Sequence, residues 1–301
     1  MLTHKMGHTN PHVPGPRHTP FFPRSHLSFL FLTNTPPLRL AYSMHLTLIS
    51  ILALLAAGIL AGLLNAIAGG GTIVTFPTLI FLGMNGIVAN ATSTLALILG
   101  IFGSLWGYRH HMASTLPWLR SFLPPSILGG LLGGILLTKT PVRTFDILVP
   151  YLILFATLLF MAQSFLIRRF ISGTQEIREP SPHWAAILFQ FFISLYGGYF
   201  GAGIGILMLA TLGMMGLHHI VEMNVLKTFL GGSINLIAAL YFISKGLIDW
   251  PTALIIAAGA VPGYYLGALF SRYMPAKIVR HAVVLIGLTL TLVIFIQQIW
   301  K

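Results

Sequence analysis

Cysteine is absent from all 301 residues. That excludes thiolate catalysis, cysteine-held zinc and disulfide scaffolding. Charge is scarce as well, with Asp, Glu, Lys and Arg together making only 7% of the chain. A soluble domain carries about 25% and cannot cover its surface with so few. A cytosolic enzyme and a disordered protein are both excluded. Acids are the scarcest charge: Asp146, Glu176, Glu179, Glu222 and Asp249 are the only five, and they leave a formal net charge of +12. The basic residues form no dense cluster, so this surplus is no footprint of nucleic acid. At the ends of membrane spans it is an expected orienting signal. No Walker A motif occurs either, so this chain hydrolyses no ATP through one.

What the chain does have is apolar length, with 56% hydrophobic residues and a mean hydropathy of +0.87. A bilayer-crossing helix needs roughly 20 apolar residues. Eight segments qualify, at about 46–66, 91–108, 117–138, 144–167, 184–212, 222–244, 251–271 and 278–299. A further apolar stretch, 72–83, is half the needed length and directly follows Gly69-Gly70-Gly71. The spacing therefore predicts a Gly-broken or re-entrant helix over 46–83, and another over 184–212, interrupted between Gly197 and Gly205. The fold class expected is an all-α polytopic membrane protein, with about eight spans in two four-segment halves.

Residues 1–43 differ in kind. They are rich in Pro, His and Thr, carry Lys5, Arg17, Arg24 and Arg39 with no acid, and cannot build a core. They read as a disordered basic tail or as a mis-assigned start upstream of Met44. The first membrane repeat is then 44–167, the polar linker 168–183 and the second repeat 184–301.

Sliding the chain by 134 residues aligns the halves without a gap. Ala68-Gly69 meets Ala202-Gly203, Gly71 meets Gly205, Asn90 meets Asn224 and Thr94 meets Thr228. Pro117 meets Pro251, Gly129 meets Gly263, Gly133 meets Gly267, Pro141 meets Pro275 and Arg143 meets Lys277. Matching glycine-interrupted helices in two halves point to the binding site of a secondary transporter. Single crossings of the broken segments make the repeats parallel; a turn back at the glycines makes them inverted. Under single crossings the basic residues divide seven against five between the two faces, so charge counting leaves both topologies open.

These residues resemble the sulfite exporter TauE/SafE family of bacterial membrane permeases. The first half carries Asn65-Ala-Ile-Ala-Gly-Gly-Gly-Thr72, Pro77 and Ala89-Asn-Ala-Thr-Ser93. The second carries Tyr196-Gly-Gly-Tyr-Phe-Gly-Ala-Gly203, Met223-Asn-Val-Leu-Lys227, Lys245-Gly-Leu-Ile-Asp-Trp250 and Gly259…Pro262-Gly263…Gly267. The likeness covers about 46–299. Where the family has Gly-Thr-Ser, this chain reads Ala91-Thr92-Ser93, and its second half reads Val225-Leu226-Lys227. The resemblance implies transport of sulfite, sulfonates or related small anions, often outward.

The candidate substrate ligands follow from chemistry at the breaks. Gly69, Gly70, Gly71, Gly201 and Gly203 free backbone groups, and half-helix N-termini favour an oxyanion; close helix packing is the competing account. Asn65, Thr72, Asn90, Thr92, Ser93 and Asn224 offer uncharged hydrogen bonds, as do Thr228, Ser233 and Asn235; each could equally bond helix to helix. Lys227, about five residues into a span, is costly there and marks a site by default, unless it snorkels to the helix end. Glu222 could pair with it or couple transport to an ion gradient. Gly129-Gly130 with Gly133-Gly134, and Gly263 with Gly267, fit helix packing instead. The pairs His110-His111 and His218-His219 fit the interface better than a metal, and five Trp residues near span ends fit an aromatic belt. The reading is a multi-pass permease of the bacterial cytoplasmic membrane, without cofactor and without nucleic acid. Its expected partners are a small anion and the lipid bilayer, with a homo-oligomer left open. Another substrate on the same fold, or a scaffold subunit, remains the alternative.

Overall fold

The computed structural model describes residues 47–67, 69–108, 115–171, 184–215, 217, 220–270 and 276–299. The tail 1–43, both His pairs and most of the linker lie outside them. Among the described residues every regular element is a helix, as a chain in lipid must satisfy its backbone internally. The first half holds α1 (Leu48–Ile67), α2 (Thr72–Phe81), α3 (Gly86–Tyr108), α4 (Leu116–Lys139) and α5 (Val142–Ile171). The second holds α6 (Trp184–Tyr199), α7 (Ile204–Met214), α8 (Ile220–Ser244), α9 (Trp250–Phe270) and α10 (Ala276–Ile299). Helices α8, α9 and α10 begin 134 residues after α3, α4 and α5. Among the described residues five helices are long and apolar enough to cross a membrane: α1, α8, α9 and the stretches Pro117–Lys139 and Val142–Ala162. The expected breaks are present: the first splits its segment into α1 of 20 residues and α2 of 10, the second into α6 of 16 and α7 of 11.

Both breaks turn on a glycine in the left-handed region. Gly69 has φ +81° and its repeat equivalent Gly203 has φ +79°, a conformation glycine adopts without a Cβ penalty. The chain then folds back. A Cβ on Gly71 would lie 2.7 Å from the carbonyl oxygen of Ala61, so α2 starts beside the last turns of α1 rather than beyond them.

Glycines also set which helices meet. Gly58 and Gly62 of α1 face the backbone of Ile256, Ala260 and Tyr264 of α9, while Gly259, Gly263 and Gly267 face Leu55, Ile59 and Leu63 in return. The contacts advance together, so α1 and α9 run parallel. Gly129 and Gly133 pack α4 on α6 in the same way, against Phe191, Leu195 and Tyr199. Each half's first helix thus docks on the other half's fourth. The small-residue spacing serves packing here, as expected, with backbones in close approach.

The equivalent pairs across the two halves run antiparallel. Asp249, just past α8, donates its N–H to Thr92 Oγ1 near the start of α3 (3.1 Å), whereas Gly232 lies farther back on α8, by Ile98 and Ile101 farther along α3. On α5 and α10, Thr157 sits beside Gly287 and Tyr151 beside Phe295. The repeats are therefore inverted. The core between them holds Phe76, edge-on to Phe145 at 6.3 Å and to Phe200 at 5.3 Å. Large apolar side chains such as Leu48, Leu132, Phe155 and Leu292 remain exposed, as lipid-facing positions require. Trp184 and Trp250 open α6 and α9 and are exposed there.

Candidate functional site

The two glycine bends touch each other: a Cβ on Gly69 would lie 2.6 Å from Gly205 Cα. The N-termini of α2 and α7 thereby meet in the middle of the helix bundle. A cavity of about 30 Å3, open on one side, lies at this point. The first half contributes Asn65, Gly69, Thr72 and Ile101 to its wall. The second bend and α7 contribute Gly201, Ile204, Gly205 and Met208. One stripe of α8 completes it, with Lys227, Thr228, Gly231, Gly232 and Asn235. Residues spaced three and four apart share a helix face.

Lys227 is the one basic side chain in this wall and is only 4% exposed. Its Nζ donates to Asn224 Oδ1 (2.9 Å), to the Ala66 carbonyl (3.1 Å) and, longer, to the Asn65 carbonyl (3.4 Å). The last carbonyls of α1 have no intrahelical partner and carry partial negative charge. The lysine therefore caps α1 from a helix of the other half. Asn65 is steadied in turn: its Nδ2 donates to Tyr264 Oη, and its Oδ1 accepts from Gly71 N–H (3.4 Å).

The other expected residues divide between the wall and its supports. Asn65, Gly69, Thr72, Gly201 and Lys227 line the cavity. Asn224 stands behind Lys227 and holds it. Gly70 is backed by the Phe160 ring, Gly71 by Ala61, and Gly203 by Ala156 and Leu159. Thr92 accepts from Asp249, and Ser93 shares a hydrogen bond with Thr75. Asn90, 1% exposed, donates its Nδ2 to the Tyr199 carbonyl (3.0 Å) at the end of α6, leaving its buried Oδ1 without a partner. Tyr199 and Asn90 are the repeat equivalents of Asn65 and Asn224; in the second half the donor to α1 is Lys227, which Asn224 holds. Glu222 is half-buried in the first turn of α8, and Lys227 turns to α1 and not to it.

Of the hydroxyls and amides named more broadly, Thr228 and Asn235 reach the wall, while Ser233 bonds back to Phe229 of its own helix. Ile101, Ile204, Met208, Gly231, Gly232 and the support Tyr264 were not legible as site residues. The one available signal was the spacing of Gly231, Gly232 and Asn235 from Lys227 along α8.

The wall brings together polar groups from both halves. It offers one amine, two hydroxyls, two amides and the N-terminal turns of two helices. A family model for the sulfite exporter TauE/SafE matches residues 54–294. A "Probable membrane transporter protein" of Haemophilus influenzae is 28% identical over 261 residues, covering 84% of this chain and 97% of that protein. The "Probable membrane transporter protein ORF9" of Sinorhizobium sp is 25% identical over 252 residues, covering 79% and 90%. The "Probable membrane transporter protein YfcA" of Escherichia coli K12 is 22% identical over 231 residues, covering 76% and 83%.

Proposed function

The chain belongs to the sulfite exporter TauE/SafE family, and from that premise we propose that this multi-pass bacterial membrane transporter carries a small sulfur oxyanion, sulfite or an organosulfonate, out of the cell. The observation that carries the reading is the convergence of Lys227 with the N-termini of α2 and α7 on one cavity. The positive ends of helix dipoles favour an anion, and broken helices that meet between inverted repeats are the setting in which transporters bind substrate. Asn65, Thr72, Thr228 and Asn235 supply the remaining hydrogen bonds. The anion crosses unchanged, by alternating access driven by an ion gradient. Glu222 is the acid closest to Lys227 along α8 and the group proposed to couple flux to that gradient.

Counterflow of radiolabelled anions in proteoliposomes tests this. Sulfite, thiosulfate, sulfonates and carboxylates are offered in turn. Saturable exchange of sulfite or a sulfonate is expected; exchange of carboxylates alone overturns the substrate. Uptake into inside-out vesicles tests the direction, and uptake seen only in right-side-out vesicles refutes export.

A further inference from the structure

Most helical glycines of this chain are explained by their neighbours. At Gly58, Gly133, Gly198, Gly259 or Gly263 a Cβ would strike the backbone of another helix. Gly231 is different. It lies in the interior of α8, and an added Cβ would meet nothing nearer than Ile204 Cδ1 at 4.0 Å. Glycine is the poorest helix former after proline, so here it weakens the helix with no close approach in return.

What its missing side chain leaves is cavity. Gly231 sits one turn from Lys227 and one turn from Asn235, on the same wall. The first half shows the alternative. The equivalent of Gly231 is Leu97, which is 1% exposed and part of the hydrophobic core. Asn235 and Thr72 likewise have Ile101 and Ile206 as equivalents. One copy of the site is polar and open at Gly231; the other is filled by leucine.

We propose that Gly231 is the specificity-determining residue for ligand size. The space beside its Cα takes the organic substituent of a ligand whose anionic head lies at Lys227, and Ile204 and Met208 supply apolar contacts across from it. The site then prefers a short-chain organosulfonate to bare sulfite. This rests on the carrier reading above.

The test is proteoliposome exchange with sulfite, methanesulfonate and ethanesulfonate, comparing the wild type with Gly231→Ala. The added methyl fits without a clash, so the variant folds. It is expected to lower the ratio of sulfonate to sulfite exchange by about tenfold or more, the scale of one methyl group in a pocket. Gly134→Ala is the control for helix propensity: its Cβ meets Ala238 at 3.5 Å, an ordinary contact outside the cavity, and its exchange profile stays that of the wild type. Gly231→Leu copies Leu97 and is expected to stop exchange; if it does not fold, the alanine variant decides alone. A wild type that exchanges these anions, with a Gly231→Ala profile unchanged or lowered equally for all of them, overturns the size filter and leaves the carrier reading standing. A wild type that exchanges no sulfur anion overturns both.

Discussion

Replacing Lys227 by methionine separates ligand binding from fold support. The substitution removes donors from Asn224 Oδ1 at 2.9 Å and the Ala66 carbonyl at 3.1 Å, plus the longer contact to Asn65. Each well-placed acceptor left without a donor costs about 1–3 kcal/mol, and the end of α1 loses a favourable dipole interaction of up to about 2 kcal/mol. Together the loss is about 2–8 kcal/mol. Against it stands the desolvation of a buried amine, an effective penalty of several kcal/mol that methionine does not incur. The two nearly cancel. For a chain of this length each kcal/mol moves the melting midpoint by about 2–4 °C, so Lys227→Met is expected to melt within roughly 10 °C of the wild type. Transport has no such compensation, because the wall loses its one basic group. The variant is expressed, its thermal unfolding is followed in detergent, and anion counterflow is measured at matched protein. Flux is expected to fall at least about a hundredfold, the loss of one charge-assisted contact of about 3 kcal/mol. Normal expression with unchanged flux would refute the role of Lys227 in the site.

Other expectations follow from the same geometry. Asn224→Ala frees Lys227 and is expected to lower counterflow strongly. Asn90→Ala removes one neutral bond to Tyr199, costing about 1 kcal/mol of stability with flux nearly intact; equal transport defects in the two variants would contradict this division. Gly133→Ala and Gly263→Ala push a methyl into the backbones of Leu195 and Ile59. Each should lower stability by about 1–3 kcal/mol, visible as a lower melting midpoint, and a stable variant would show that the approach is not tight. Because the chain has no cysteine, single-cysteine labelling maps the inverted repeats cleanly. Met214→Cys at the end of α7 and Gly246→Cys after α8 should react from opposite faces. The basic residues Arg120, Arg168, Arg169, Lys277 and Arg280 flank the Met214 face, against Lys139, Arg143 and Lys245 on the other. Met214→Cys is therefore expected at the cytoplasm, and labelling of both from one side would refute the inversion.

Much of the architecture is readable from residues alone, since apolar length and the 134-residue offset mark where helices begin and where they break. Their direction is not readable. It depends on Gly71 returning to the side of Ala61, a fact about backbone proximity that hydropathy does not encode. Partner choice is hidden for a similar reason: Gly58 and Gly259 declare a close approach without declaring to what. In the site, Asn65, Thr72 and Lys227 are legible because polar groups stand out in an apolar helix. Ile204 and Met208 have no such contrast. Asn90 and Asn224 match as repeat equivalents, yet the match reports a shared mechanical duty at the ends of α6 and α1, and only one of the two supports a residue of the cavity wall.

That shared duty has an energetic side. In an inverted repeat, opening to one face and opening to the other exchange the parts played by the two halves. Here one clasp is an amine on carbonyls and the other a carboxamide on a carbonyl. Charge-assisted bonds are about twice as strong as neutral ones. The two halves are held together unequally, because the position equivalent to Ser93 holds Lys227 in the second half.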